Sequence, residues 1–72
     1  MGVEVAATLR SQIGIMSVDE VAAVMDVTPH TLYVWRADGK GPKFVKLGRS
    51  VFYRRQDVQD WIDANVVQKE SA

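Results

Sequence analysis

Positive charge in this chain is gathered into one stretch. Between Thr28 and Arg55 lie seven basic residues, Arg36, Lys40, Lys43, Lys46, Arg49, Arg54 and Arg55, against the single acid Asp38, a net of +6. The rest of the chain holds two basic residues, Arg10 and Lys69, and eight acidic ones, so the whole sums to zero. Clustered guanidinium and ammonium groups bind phosphate oxygens by charge-assisted hydrogen bonds, releasing the counterions held there. A domain charged this unevenly is a dipole. Its basic side attracts a polyanion and its acidic side repels one, which orients the encounter. A solvated basic hairpin would have the same composition, so the assignment depends on the elements that carry the charges.

Other chemistry finds little material. His30 is the only histidine and there is no cysteine. That leaves no disulfide framework, no zinc finger and no thiol nucleophile. Paired carboxylates, a glycine-rich phosphate loop and an activated nucleophile are also missing, so neither an enzyme nor a cofactor is expected. No apolar run approaches the ~18 residues of a membrane span. The N-terminus lacks the basic leader and long apolar stretch of a signal peptide, so a cytoplasmic protein is expected.

The 72 residues suffice for one small domain, of a size that buries only about 60% of its unfolded surface. Ser17-Val18-Asp19-Glu20 is a capping box, and Val18, Val21, Ala22 and Met25 after it form one helical stripe. Thr28 is a good N-cap and Pro29 suits the first helical position, so a second helix starts there and the first ends before it. Leu32 and Trp35 share its inner face, and Gly39 stops it. Two short helices joined by about three residues make a helix-turn-helix. Phe44, Val45 and Leu47 then read as one strand and Val51, Phe52 and Tyr53 as another, with Gly48-Arg49-Ser50 as the hairpin tip. Val58, Trp61 and Ile62 mark a final helix, with Asp57 at its positive end. Trp35 and Trp61 lie on apolar stripes and are expected in the core. Two readings fit residues 1–15: an amphipathic helix carrying Val5, Leu9 and Ile13, or a short strand alternating at Val3 and Val5. Either would pack on the core or on a neighbouring subunit. The expected organisation is an N-terminal extension over 1–15, a domain over 16–66 and a flexible tail over 67–72.

This order of helix, turn, helix, basic two-stranded wing and helix, an α+β winged helix-turn-helix, brings a family into view. The run from Met16 to about Asn65 closely resembles the excisionase-type, MerR-like winged helix-turn-helix proteins, which include phage excisionases (recombination directionality factors) and AlpA-like regulators. The resemblance rests on Glu20-Val21-Ala22, on the run from Val27 to Trp35, and on Lys46-Leu47-Gly48 followed by the stretch from Asp57 to Ile62. It implies that the second helix enters the major groove of double-stranded DNA and that the wing lies over adjacent phosphates or the minor groove. Carried onto this chain, the groove-facing residues are Pro29, His30, Thr31, Tyr33, Val34 and Arg36, and the wing tip is Gly48, Arg49 and Ser50. Thr28 serves as cap and phosphate contact, His30 meets a base edge, and Tyr33 meets a phosphate or base or else packs on the wing. Lys40, Lys43, Lys46, Arg54 and Arg55 are phosphate candidates as a set, with membership of the final helix's N-terminal turn as the alternative for Arg55. Val34 stands where many relatives carry a basic or polar residue, and a thymine methyl contact is its substitute.

The resemblance further implies a DNA-bending accessory factor that directs an integrase, of the tyrosine-recombinase kind, toward excision in a bacterial host. Neighbouring copies would load cooperatively, head to tail, the acidic flank of one against the basic wing of the next. A transcription regulator or phage repressor of the AlpA-like kind, and a protein-interaction module, are the alternatives.

Overall fold

The computed structural model describes residues 3–67. In chain order the elements are α1 (Val3–Ile13), β1 (Ile15–Ser17), α2 (Val18–Met25), α3 (Pro29–Ala37), β2 (Val45–Leu47), β3 (Ser50–Arg54) and α4 (Arg55–Ala64). This is a winged helix-turn-helix. Of the tail expected over 67–72, residues 68–72 lie outside the described part, and Val67 is exposed.

Local signals set the helix ends. The Ser17 hydroxyl accepts from the Glu20 amide at 3.1 Å and the Glu20 carboxylate accepts from the Ser17 amide at 2.7 Å, which closes the capping box. At the other end of α2 the chain turns at Asp26, whose φ of 58° lies in the left-handed region. Aspartate is among the few side chains that tolerate this. Its N–H caps the carbonyls of Ala22 and Ala23. Two residues later Thr28 caps α3, its hydroxyl accepting from the Thr31 amide at 3.1 Å, with Pro29 in the first turn.

The sheet has three antiparallel strands in the order β1-β3-β2. A two-stranded wing was expected; β1 adds a strand on the inner edge of β3, with Met16 opposite Tyr53. Of the stretch 1–15, the described residues 3–15 form a helix and the start of a strand, and the alternation at Val3 and Val5 does not form one. Gly14, with φ 96°, makes the break between them. Its carbonyl accepts from the Arg55 amide at 2.7 Å, which ties this corner to the start of α4.

Alternation along β3 decides which face is covered. Val51 and Tyr53 face the helices. Tyr53 is buried with Val21 and Ala22 of α2, Leu32 of α3 and Val58 of α4, and Met16, Val18, Met25, Val27, Trp35 and Val51 pack around them. Phe52 points the other way, and the Arg10 guanidinium of α1 lies 5.8 Å over its ring. Trp35 and Trp61, both half-buried, meet at 5.4 Å and join α3 to α4; Trp35 packs on the core as its stripe implied, while Trp61 packs on Trp35 at its margin.

The loop after α3 passes against this pair. Gly41 has φ 81°, and a Cβ there would stand 2.9 Å from Cε3 of Trp35. Gly41→Ala combines an unfavourable φ with overpacking and should cost about 1–3 kcal/mol. Chemical denaturation measures it. A loss no larger than that of Gly39→Ala, where the φ is positive but nothing lies within 4 Å, would show that Trp35 yields freely.

Candidate nucleic-acid interface

Burial of Leu32 on the inner side of α3 turns the opposite side outward. Thr28, Pro29 and His30 are exposed at its N-terminal end, Thr31 is half-buried, and Tyr33 and Val34 are exposed one turn on. The Thr28 and Thr31 hydroxyls lie 3.0 Å apart. This end of α3 presents the positive pole of the helix dipole. Three residues apart on one face, the rings of His30 and Tyr33 stack with centroids 5.9 Å apart. They form one aromatic ledge beside Val34. The face therefore offers imidazole and phenol groups able to hydrogen-bond, and an apolar spot fit for a thymine methyl.

The wing is a tight hairpin. Leu47 pairs with Ser50, so the connection is two residues, Gly48 and Arg49, and Ser50 already belongs to β3. Gly48 has φ 63° and Arg49 does not share that sign, as a type II′ turn requires. Both are exposed, and Arg49 sits at the apex. Lys46 pairs with Val51, so it leaves the sheet on the helix-facing side, and it is exposed. Lys40 and Lys43 lie exposed on the loop between α3 and β2.

The seven cations of the basic segment divide into two groups. Lys40, Lys43, Lys46 and Arg49 are exposed, and among the described residues none of them is in an ion pair. The other three are tied by hydrogen bonds to neighbouring elements, Arg36 half-buried and Arg54 and Arg55 at the surface. Arg36, read from the family resemblance as groove-facing, instead directs its guanidinium to the sheet: it donates to the Tyr53 hydroxyl at 2.9 Å and lies 5.8 Å over the Phe44 ring. Phe44 in turn meets Tyr53 edge-on at 6.4 Å. Arg54 donates to both Asp57 oxygens, at 2.6 and 3.0 Å. That hydrogen bonding first, and the carboxylate charge second, hold Arg54 further above its usual range. Asp57 is 7% exposed and Arg54 is 59% exposed, so the pair seals the start of α4 with its cation at the surface. Arg55 donates to the Ser11 carbonyl at 2.6 Å.

The sequence reading misses these three ties. For Arg54 and Asp57 the i, i+3 spacing across a helix start was a usable signal. For Arg36 and Arg55 the partners are 17 and 44 positions away, and no local pattern marks them.

Together, an exposed helix face and a basic wing, joined through Arg36, Phe44 and Tyr53, form a surface suited to a duplex groove and its flanking phosphates. Among the described residues no helix is long and apolar enough to cross a membrane. The helix-turn-helix domain family matches residues 15–66, which takes in everything from β1 to the end of α4 and leaves α1 outside. No curated protein matches the chain.

Proposed function

The chain belongs to the helix-turn-helix domain family and is a DNA-binding protein; from that premise we propose that it is an excisionase-type accessory factor. In this reading α3 enters the major groove through Thr28, Pro29, His30, Thr31, Tyr33 and Val34. The wing places Arg49, flanked by Gly48 and Ser50, over the next phosphates or into a narrow minor groove. Lys40, Lys43 and Lys46 hold the backbone between the two. Arg36 sets the angle of the wing, and Arg54 adds a weaker, partly neutralised charge. The bound duplex bends between groove and wing, and a site-specific integrase of the tyrosine-recombinase kind uses the bend to bridge its sites. Adjacent copies cooperate on neighbouring sites, because one small domain has a limited interface. The observation that carries the DNA-contact reading is the division of the basic segment: four cations around α3 and the wing are exposed with no internal partner among the described residues, while Arg36, Arg54 and Arg55 are hydrogen-bonded to other elements. The recombination role is supported by the family resemblance.

A transcription regulator of the AlpA-like kind is the second reading, and one observation favours it. Helix α1 carries an exposed apolar stripe fit for symmetric pairing, and symmetric pairs bind inverted half-sites.

Capture of genomic fragments from the source DNA by the purified protein, followed by sequencing, tests the proposal. Enrichment of closely spaced direct repeats beside an integrase gene or attachment site is the expected result. Inverted repeats at promoters would replace the accessory-factor reading with the regulator. No enrichment at all would overturn specific DNA recognition by this surface.

A further inference from the structure

The stripe on α1 is unusual for so small a protein. Val5, Leu9 and Ile13 are 41%, 51% and 76% exposed. They recur every four residues, so they line one side of the helix. The ties described above that hold α1 to the domain gather in its last turn. Arg10 reaches Glu20 at 3.8 Å and covers Phe52, and the Ser11 carbonyl accepts from Arg55. An 11-residue helix is marginal on its own in water, and its apolar face gains little from the domain it is attached to.

We propose that α1 pairs with α1 of a second copy, antiparallel, with Leu9 on the two-fold axis. The stripe is symmetric about Leu9, with a β-branched residue four positions away on either side. Antiparallel pairing therefore sets Leu9 against its own copy and Val5 against Ile13 of the partner, both ways at once. This is the self-complementarity that a two-fold interface requires. Charge agrees with it. From Val5 to Ile13 the only charged residue is Arg10, and it is turned inward to Glu20. The stripe thus selects neither an acidic nor a basic partner and meets no repulsion from its own copy. The N-terminal half of each helix comes to lie against the C-terminal half of the other.

The contact is small. At ~1.5 Å per residue each helix is about 16 Å long, and two such helices bury well under the ~1,200 Å² of a standard stable interface. Pairing is therefore weak and concentration-dependent in free solution. It takes hold between two DNA-bound copies only where their sites are inverted, where the effective concentration reaches the millimolar range; copies on direct repeats are not related by a two-fold and keep the head-to-tail contact. The resulting geometry is two-fold, unlike the head-to-tail contact that the charge dipole alone implies.

The chain has no cysteine, so single cysteines report the geometry with no DNA present, independently of the functional reading. In a glutathione redox buffer, Leu9→Cys should form a disulfide-linked dimer about tenfold more than the wing control Arg49→Cys, since only Cα pairs within ~4.4–6.8 Å close. Val5→Cys and Ile13→Cys should each stay unlinked alone, their copies being about 12 Å apart along the axis, and should link when mixed. Leu9→Glu should remain monomeric by sedimentation at concentrations where the native chain associates, and should keep its affinity for a single DNA site. Linking of Leu9→Cys no greater than the wing control would overturn the proposal. Self-linking at all three positions would replace it with a parallel pair. Preferential linking of Leu9→Cys to Val24→Cys would place α1 instead in the neighbour's groove of about 500 Å³ beside Ile15, Met16, Ala23 and Val24, and would equally overturn it.

Discussion

Leu32→Ala is expected to cost about 2–5 kcal/mol, the range for truncating a fully buried leucine when the site only partly collapses. Leu32 has no solvent exposure and sits where α2, α3, β3 and α4 converge. A chain of this length has on the order of 4–11 kcal/mol of total stability, so the loss is a large share of it. The thermal midpoint should fall by at least ~10 °C. DNA affinity should fall with it, because the same helix offers Tyr33 and Val34 on its outer side. The comparison that gives the result meaning is Ile13→Ala. Ile13 is equally apolar but 76% exposed, and its replacement should stay within about 0.5 kcal/mol. Scanning calorimetry of both variants at low concentration, where α1 is unpaired, reads the two directly. A Leu32→Ala loss under 1 kcal/mol would mean that the core rests elsewhere.

The second large effect is on DNA binding and its salt dependence. With seven cations on phosphate the slope of log K against log salt would be near −6, at about −0.9 per phosphate. The structure leaves four free cations, Lys40, Lys43, Lys46 and Arg49, which sets the expected slope at about −3.6. Affinity should then fall roughly 150-fold between ~50 and ~200 mM salt. Arg49→Ala should flatten the slope by about one unit, and Lys46→Ala with Arg49→Ala by about two, equally on specific and random duplexes. Arg54→Ala should change the slope less than Arg49→Ala, because Asp57 already offsets its charge. Fluorescence anisotropy titrations over a salt series decide it. A slope near −6 would mean that Arg36, Arg54 and Arg55 also reach phosphates on binding. An unchanged slope in Arg49→Ala would remove the wing apex from the interface.

What could be read from the sequence follows the range of the interaction that fixes it. The caps at Ser17 and Thr28, the proline start of α3 and the glycine turn at Gly48 are set by residues within three or four positions, so each was legible. The stripes of α2 and α4 were legible too, because burial imprints a helical period. Strand β1 was not. It is three residues long, too short for a period of two, and its partner β3 lies more than thirty positions further on. Gly14 was the available clue to the break before it. The covered face of the hairpin was equally hidden, because apolar residues occupy both faces and only the docking of Arg10 on Phe52 accounts for the second. At the candidate site, Arg36 shows the limit most clearly. Helical position places a long side chain at the edge of the groove face, but Tyr53 and Phe44, on other elements, decide where its guanidinium goes.

The bridge from Arg36 to Tyr53 has an entropic consequence. A hairpin hinged on a glycine-containing loop would sample many angles to α3 and would lose that freedom at every binding event. Here a hydrogen bond from the last turn of α3 to a buried hydroxyl, with Phe44 packed on both partners, fixes the angle when the chain folds. The ordering cost then falls on folding, where the core offsets it, and is absent from association. A surface too small to gain high affinity from area can gain it from preorganisation. For the same reason the spacing between the outer face of α3 and the wing is set by the protein before any duplex arrives.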